Sequence, residues 1–252
     1  MKLTKPVQWL SGDEFIVDRL RFRADLDTYQ RRTTIDQVII IKNSYMLQQY
    51  LDFLAPHRTE TIIDLGIWQG GSPVFFGLAT DARKVVAIDI ANPNPVLDDI
   101  IDKYDLSETL KLHFNTSQDD AARVRQIMSD EFGEEPLDLV IDDASHLYKP
   151  TKSCFETIFP RLRAGGLYII EDWQWAHLDI PEYQSGAKWG DEAALTNFIF
   201  DLVMAQGSTP GVFSNIVVQN WFVAVQKGAV VVPEGFRLDD LIRTRGKRLS
   251  LL

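Results

Sequence analysis

From residue 60 onward, short apolar runs alternate with segments whose apolar residues recur at helical spacing. This alternation predicts β-α-β units, in which parallel strands form a central sheet and helices cover its faces. Each apolar run is typical of a strand buried on both sides. The chain is therefore expected to fold as an α/β protein. The five predicted strands are residues 61–65, 84–90, 111–115, 137–142 and 167–170.

Segments on either side of this pattern complete the predicted sheet. Residues 46–54 place apolar side chains at helical spacing, which predicts an amphipathic helix against one sheet face. Residues 215–219 and 221–226 are apolar runs separated by a single residue, which predicts an antiparallel hairpin. Five alternating units closed by such a hairpin resemble the Rossmann-like sheet of class I methyltransferases that use S-adenosylmethionine (SAM). Dehydrogenases usually continue with more parallel units.

Residues 1–45 lie outside the alternating pattern and are predicted to form an N-terminal extension, followed by a catalytic domain over residues 46–252. We interpret the extension either as a lid or subunit contact, which makes a homo-oligomer possible, or as a packed segment with no such role. It carries several aromatic and apolar side chains among its charges: Trp9, Phe15, Leu20, Phe22 and Tyr29.

Charge and composition restrict the expected partners. The net charge of −10 repels nucleic-acid phosphates, and no basic stripe offsets it, so no nucleic-acid partner is expected. One cysteine, Cys154, excludes an internal disulfide and is interpreted as part of a helix core. The first residues lack a secretory signal, and no apolar run is long enough to cross a bilayer. A cytoplasmic protein without a membrane partner is the expectation.

The first predicted strand ends in the motif DLGIWQGGS, residues 64–72, which is a glycine-containing turn between a strand and a helix. Glycines let the backbone approach a ligand closely, and free N–H groups at the helix N-terminus attract a carboxylate or phosphate. Trp68 stands where a dinucleotide-binding turn usually has its second glycine, so an amino-acid-bearing cofactor is favoured. The alternative is an ordinary tight turn. The cofactor contacts predicted here are Asp64, Gly66, Trp68, Gln69, Gly70 and Ser72.

The ends of the next strands add further candidates for the cofactor site. Asp89 follows Gly66 by 23 residues, close to the offset at which an acidic side chain accepts hydrogen bonds from ribose hydroxyls. A strand-end cap is the alternative for Asp89. Ser117 and Gln118 follow the third strand, where an adenine-contacting loop is expected. For Ser117 we favour a helix N-cap, with Asp120 completing a capping box.

Acidic residues end the fourth and fifth predicted strands. Asp142 is assigned to the cofactor site, whereas Asp143, Glu171 and Asp172 should converge where parallel strands release their carboxyl ends. Converging carboxylates repel one another unless a cation neutralises them, and oxygen ligands favour Mg²⁺. The lone Cys154 and the absence of paired histidines argue against zinc. Asp143, Glu171 and Asp172 are therefore predicted metal ligands. Helix capping is the alternative for Asp142 and Asp143.

His146 lies three residues after Asp143 and is the predicted catalytic base. Magnesium could hold two adjacent substrate hydroxyls, and an imidazole near it could remove a proton as an oxygen attacks the methyl group. A solvated or structural role is the alternative, which we prefer for the other three histidines. The predicted reaction is methylation of a sugar or polyol hydroxyl. Trp173, Trp175 and Tyr183 are candidate pocket aromatics, or else the edge of a hydrophobic lid.

Three motifs together resemble a family of metal-dependent O-methyltransferases that act on small molecules. They are DLGIWQGGS, then IDDASH at residues 141–146, then AGGLYIIED at residues 164–172. The chain looks like the macrocin and mycinamicin sugar methyltransferases, the cephalosporin-biosynthesis family and the rhamnosyl O-methyltransferases. The resemblance implies SAM and a divalent cation as cofactors and a glycoside as acceptor. It also implies the same metal ligands, the same base, and cofactor contacts at Asp64, Gly66 and Asp89.

Two other functions stay open from the sequence. A nicotinamide-dependent oxidoreductase would use the same glycine turn and Asp89, although Trp68 and the acidic residues argue against it. A non-catalytic nucleoside-binding protein would need neither the metal nor the base. The two functions and the proposed methyl transfer differ in their dependence on NADH, SAM and a divalent cation.

Overall fold

The computed structural model describes residues 1–26 and 30–246, and Tyr29 of the predicted extension lies outside them. A seven-stranded sheet forms the centre, with strand order β10-β11-β9-β8-β5-β6-β7. Strands β5 to β9 run parallel, whereas β10 and β11 are antiparallel. The predicted α/β fold with a C-terminal hairpin is confirmed. The strands of this sheet are β5 (Thr61–Leu65), β6 (Lys84–Ile88), β7 (Leu110–His113), β8 (Leu137–Asp142), β9 (Leu162–Glu171), β10 (Phe213–Val218) and β11 (Phe222–Lys227).

The predicted strand bounds agree with the structure at β5 and β8 and differ elsewhere. β9 begins five residues before the predicted start at residue 167, because Leu162 also pairs with β8 across a register shift. β6 ends two residues before the predicted end at residue 90. The Asp89 side chain accepts from the Ile67 and Ala91 N–H groups of neighbouring loops, and Ile90 is exposed. Strand ends depend on pairing partners, which the apolar pattern does not contain.

Eight helices accompany the strands in the described ranges. The N-cap of α1 is Asn43, whose side chain accepts from the Met46 N–H, and its apolar face is buried as predicted. Cys154 is buried in α5, which confirms its interpretation as helix core. The helices are α1 (Ser44–Leu54), α2 (Gly71–Ala79), α3 (Pro95–Lys103), α4 (Ala121–Phe132), α5 (Tyr148–Ile158), α6 (Pro181–Ser185), α7 (Thr196–Ser208) and α8 (Leu238–Leu241).

The N-terminal extension forms a second sheet of four strands. β3 pairs with β2 antiparallel and with β4 parallel. Phe15 and Phe22 stack at 5.0 Å between ring centroids, and both meet the edge of Phe75 in α2 at 6.0 Å. The extension is thus packed into the core, while its roles as lid or subunit contact and the boundary after residue 45 stay predictions. Its strands are β1 (Val7–Trp9), β2 (Glu14–Val17), β3 (Leu20–Ala24) and β4 (Gln37–Ile40).

The hydrophobic core has one cluster on each face of the central sheet. The N-terminal sheet and helices α1 to α3 contribute to one cluster, and α4, α5 and α7 contribute to the other. Alternate residues of β5, such as Ile62 and Ile63, belong to opposite clusters. Both faces of the sheet are therefore covered. The ends of its strands, and the loops that follow them, are the places left for a functional site. Among the described helices, none has the length and apolarity needed to cross a membrane.

Asp138 stabilises the end of the sheet at which β5 begins. It is 2% exposed, accepts from the Glu60 and Thr61 backbone N–H groups, and pairs with Arg163. Burial alone would raise the pKa of Asp138, but the Arg163 and backbone hydrogen bonds outweigh it and hold the pKa below its usual value.

Replacing Asp138 by Asn is expected to lower the free energy of unfolding near neutral pH by about 1–3 kcal/mol, because charge-assisted hydrogen bonds are lost. The folded-state pKa is depressed, so the stabilisation is present above the unfolded pKa and is lost as pH falls through the folded value. Urea unfolding of the wild type and of Asp138→Asn, measured between pH 7 and pH 3, should give free energies of unfolding that converge at acid pH. Asp36→Asn is the control, since Asp36 is 82% exposed in its pair with Lys103. An equal loss in both variants would contradict the prediction.

Candidate functional site

The predicted site residues lie at the edge where the parallel strands end. β5 pairs with β6 on one side and with β8 on the other, and β9 follows β8. The loops after these four strands therefore meet at one edge, as parallel topology requires. Hydrogen bonds join the loops directly, since Asp143 N–H donates to Leu65 O at 2.9 Å and Gly66 N–H donates to Ile88 O at 2.9 Å.

Gly66 makes the closest approach between the glycine turn and the acidic loop. Its φ is +79°, and a Cβ built there would lie 2.3 Å from the Asp143 carbonyl oxygen and 2.5 Å from Ala144 Cα. Neither position leaves room for a side chain, and a positive φ favours glycine in any case. The turn and the acidic loop after β8 are thus in contact because residue 66 is a glycine.

The Asp89 carboxylate holds the glycine turn by accepting hydrogen bonds from backbone N–H groups of the turn. One carboxylate oxygen accepts from the N–H groups of Ile67 at 2.8 Å and Trp68 at 3.0 Å, and the other accepts from Ala91 N–H at 2.7 Å. Trp68, with φ of +50°, projects with 45% of its surface exposed. The observed contacts of Asp89 are structural ones, and its contact with a ribose stays a prediction.

Asp64 is a fully buried carboxyl group at the end of β5. Neither of its oxygens has a hydrogen-bond partner of good geometry among the described residues, although Ser72 and Lys42 lie near enough to lower its pKa. Burial dominates and raises the pKa of Asp64 to about 7. A buried carboxylate without a donor is costly, so this position suits a ligand that brings an N–H group.

Gln69 connects the glycine turn to the N-terminal extension. Its side-chain oxygen accepts from Thr33 N–H at 2.6 Å, and its amide nitrogen donates to Arg31 O at 2.9 Å. Gly70 has φ of +84° and precedes the start of α2. The Gln69 side chain is therefore engaged by the extension, and its contact with a cofactor stays a prediction.

Gln118 and Asp142 form a buried network. Gln118 donates to Asp142 at 3.0 Å and accepts from Ser145 N–H at 2.7 Å, while the Tyr168 hydroxyl donates to Asp142 at 2.8 Å. Burial raises the pKa of Asp142 to about 7, although these donors oppose the rise. Through Ser145, the network fixes the loop that carries His146.

The predicted N-cap at Ser117 is wrong. Helix α4 begins at Ala121, and its N-cap is Asp120, whose side chain accepts from Arg123 N–H. The Ser117 hydroxyl donates to Asp119 instead, at 2.5 Å. Both Ser117 and Asp120 carry side chains that cap helices well, and the residues between them form a turn, so the start shifts by three residues.

Asp143 and Glu171 converge on one buried ammonium group. Lys42 Nζ lies 3.2 Å from Asp143 Oδ2 and 2.6 Å from Glu171 Oε2. The Tyr50 hydroxyl donates to the other Glu171 oxygen at 2.8 Å. Sequence reasoning assigned no role to Lys42 and placed Tyr50 in a helix core. A lysine directly after an apolar strand pattern was the one available signal.

Asp172 and His146 complete the acidic cluster, which we define as Asp143, His146, Glu171 and Asp172. Both Asp172 and His146 have left-handed backbones, with φ of +55° and +57°. One ligand atom from each of Asp143, His146 and Asp172 lies within 4.8 Å of the others, a spacing that a metal ion could bridge. Glu171 is not in this set, and its two carboxylate oxygens accept from Lys42 and Tyr50.

The electrostatics of the acidic cluster suit a hard cation. Burial raises the pKa of Asp143, Glu171 and Asp172, and repulsion from neighbouring carboxylates raises the pKa of the last two further. A divalent ion would relieve both costs, because it favours the charged carboxylates. Carboxylate oxygens are suitable donors for Mg²⁺ or Mn²⁺.

His146 faces an aromatic wall from the segment after β9. Its ring centroid lies 4.4 Å from Trp175 and 6.4 Å from Trp189, and Trp175 stacks on Tyr183 at 4.7 Å. Burial, assisted by the charge of Lys188, lowers the pKa of His146 to about 4, so the imidazole is neutral at pH 7. Trp189 was not predicted, whereas the predicted Trp173 donates its N–H to Gln219 O at 2.9 Å.

Comparison with known proteins identifies the central segment. Residues 63–173 match the family described as a methyltransferase domain. A rhamnosyl tetracenomycin-C 2′-O-methyltransferase of Streptomyces olivaceus is 41% identical over 86 residues, which are 34% of this chain and 21% of that protein. Mycinamicin VI 2″-O-methyltransferase of Micromonospora griseorubida is 39% identical over 74 residues, 29% of this chain and 18% of that protein. The matched segments thus span about a fifth of these relatives' length.

A solved structure agrees over a longer stretch. The MycE methyltransferase of mycinamycin biosynthesis, in complex with Mg, SAH and Mycinamycin VI, superposes with a TM-score of 0.54 at 20% identity. The match covers 73% of this chain and 49% of MycE. At that identity the likeness concerns the fold. The predicted resemblance to sugar O-methyltransferases is confirmed, since residues 63–173 match a methyltransferase domain and the similar proteins named above are sugar O-methyltransferases.

Proposed function

We propose that this chain, through its methyltransferase domain, transfers a methyl group from SAM to a hydroxyl of a sugar or polyol in a small glycoside, with the help of Mg²⁺. The acidic cluster beside the Gly66 turn carries the proposal. Two acidic loops and an imidazole meet at the sheet edge where α/β proteins bind ligands. The names of the similar proteins, which act on rhamnosyl and mycinamicin acceptors, favour a glycoside.

The glycine turn is the proposed SAM site. The unpartnered oxygens of Asp64 suit the amino group of SAM, and Ser72 at the start of α2 suits its carboxylate. Asp89 holds the turn in shape and is the proposed partner of the ribose. The backbone of Gly66, Trp68, Gln69 and Gly70 would line the cofactor, with Ser117, Gln118 and Asp142 on the side of the adenine.

Asp143, Glu171 and Asp172 are the proposed metal ligands. A divalent ion, when bound, supplies a positive charge that favours ionisation of an acceptor hydroxyl beside it. The chain's own part is to hold the carboxylates close together in a buried place, where each is poorly hydrated. Their raised pKa values record the cost of that arrangement without a divalent cation.

His146 is the proposed general base. As the acceptor oxygen forms a bond to the methyl carbon, the carbon–sulfur bond breaks and sulfur keeps its electron pair. The hydroxyl proton passes to the neutral His146 imidazole. The positive φ of His146 and the hydrogen bond from Ser145 to Gln118 fix the loop that aims the ring into the cluster.

The acceptor is proposed to lie against the aromatic wall formed by Trp175, Tyr183 and Trp189. Stacked and edge-on rings give a flat apolar surface next to His146, which suits the C–H face of a sugar ring. The hydroxyl groups of that sugar would then point toward the acidic cluster. The proposed acceptor is a small molecule and not a nucleic acid, because the net charge of −10 repels phosphates. The proposed location of the protein is the cytoplasm.

Calorimetry and a methyl-transfer assay test this function. We expect SAM to bind and NADH not to bind, because the turn at Trp68 lacks the second glycine of a dinucleotide site. Transfer from labelled SAM to a panel of glycosides should stop with EDTA and return when Mg²⁺ exceeds the chelator. NADH binding would favour an oxidoreductase, and SAM binding without transfer to any glycoside would favour a non-catalytic protein. Transfer unaffected by EDTA would remove the metal from the mechanism.

A further inference from the structure

Lys42 is a buried cation in the acidic cluster that comes from outside the matched methyltransferase segment. It follows β4 of the N-terminal extension, and its side chain is 9% exposed. Its ammonium group forms ion pairs with Asp143 and Glu171, so the extension contributes a positive charge to the acidic cluster.

Lys42 and Tyr50 together occupy both oxygens of Glu171. Lys42 Nζ donates to Oε2 at 2.6 Å, and the Tyr50 hydroxyl donates to Oε1 at 2.8 Å. Lys42 also takes one oxygen of Asp143 at 3.2 Å. While Lys42 remains in place, each Glu171 oxygen already accepts a hydrogen bond. One ligand atom from each of Asp143, His146 and Asp172 lies within 4.8 Å of the others.

The charges of the site point to exchange between two cations. Lys42 Nζ contacts one oxygen of Asp143 and one of Glu171, and a divalent ion held by these carboxylates would need the same oxygens. An ammonium group and a divalent ion between the same oxygens repel each other. A small cavity of about 20 Å³ lies beside the ammonium and is lined by residues that include Lys42, Tyr50, Ser72 and Glu171.

We propose that Lys42 is a positioning residue that competes with the divalent ion for Glu171 and Asp143. Without the ion, the ammonium keeps the carboxylates together and lets the site fold. With the ion, Lys42 leaves Glu171, which then completes the ligand set. This inference rests on the metal site of the proposed function, and it makes the N-terminal extension part of that site.

Titration of the purified protein with Mn²⁺, followed by electron paramagnetic resonance, tests the competition. Lys42→Met removes the charge and keeps the side-chain length, so we expect it to bind Mn²⁺ at least tenfold more tightly, which corresponds to about 1.4 kcal/mol. Lys152→Met is the matched control. Lys152 is likewise a buried ammonium between two carboxylates, Asp201 at 3.2 Å and Asp239 at 2.6 Å, and its loss should leave Mn²⁺ affinity unchanged.

Equal or weaker Mn²⁺ binding by Lys42→Met, or no Mn²⁺ binding by any of the proteins, would overturn the competition. A crystal structure of the wild-type protein with Mn²⁺ decides the matter even where the variant does not fold. We expect Lys42 Nζ beyond hydrogen-bond distance of Glu171, and an ion bound with that contact intact would equally overturn the proposal. Competition for Mn²⁺ without methyl transfer to any acceptor would count against the proposed function alone.

Discussion

Replacing His146 by Ala is expected to lower kcat for methyl transfer by about 10²–10⁴-fold, the usual contribution of a general base. The imidazole is neutral at pH 7 because burial lowers its pKa to about 4, and it shares the acidic cluster with Asp143 and Asp172. No other histidine is close enough to replace it in the described part of the cluster. The affinity for SAM, measured by calorimetry, should be unchanged, since the predicted cofactor contacts do not include His146.

The control for this variant is His57→Ala. His57 lies after α1 and packs near Phe53, at the edge where the chain enters β5, opposite the acidic cluster. Turnover of that variant should equal that of the wild type. Mn²⁺ affinity of His146→Ala distinguishes two roles of the imidazole. Lost turnover with Mn²⁺ affinity retained supports a base, whereas a parallel loss of Mn²⁺ affinity would identify His146 as a metal ligand. Full turnover would remove both roles.

The central sheet could be predicted from the sequence because its strands are buried on both faces. Near-continuous apolar runs such as residues 61–65 and 137–142 are typical of strands buried on both faces of a sheet. Their bounds agree with β5 and β8. Parallel order then brings the loops after them to one edge. This topology alone predicts that Asp143 and Glu171 lie close together, and both contact Lys42 in the structure.

The partners of these carboxylates could not be predicted in the same way. Lys42 and Glu171 are 129 residues apart in the sequence. Lys42 follows the N-terminal sheet, whose strands are short and differ in their patterns of apolar residues. The pairing depends on how the N-terminal sheet packs on α2, which the alternating pattern does not encode. Tyr50 was identified as a buried helix residue, which is correct, but its hydroxyl contact depends on the same packing.

Local ambiguity explains the error at Ser117. The sequence from Ser117 to Asp120 offers more than one side chain that can cap α4, and the choice depends on where the loop from β7 leaves the sheet. Gln118 shows the same effect at longer range. Its amide bridges Asp142 to the Ser145 N–H, so a residue predicted for the cofactor also supports the loop that carries His146.

Replacing Gly66 by Ala is expected to abolish detectable SAM binding and to lower the free energy of unfolding by about 2–5 kcal/mol. A left-handed backbone costs an L-residue about 1–2 kcal/mol, and forcing a methyl group into a packed place adds about 1–3 kcal/mol. The methyl carbon would lie 2.3 Å from the Asp143 carbonyl oxygen, so the acidic loop must move away from the turn. The cofactor site and the acidic cluster should therefore fail together, which calorimetry with SAM and Mn²⁺ titration would both record.

Gly235→Ala separates the collision from the backbone strain. Gly235 has φ of +76°, close to that of Gly66, but a Cβ there meets no described atom within 4 Å. We expect this control to lose about 1–2 kcal/mol of stability and to bind SAM and Mn²⁺ as the wild type does. If Gly66→Ala loses no more than the control and keeps its affinity for both, the turn and the acidic loop do not depend on their close contact. The physical link between methyl donor and metal site would then have to lie in the side chains of Asp64 and Asp143 rather than in the backbone.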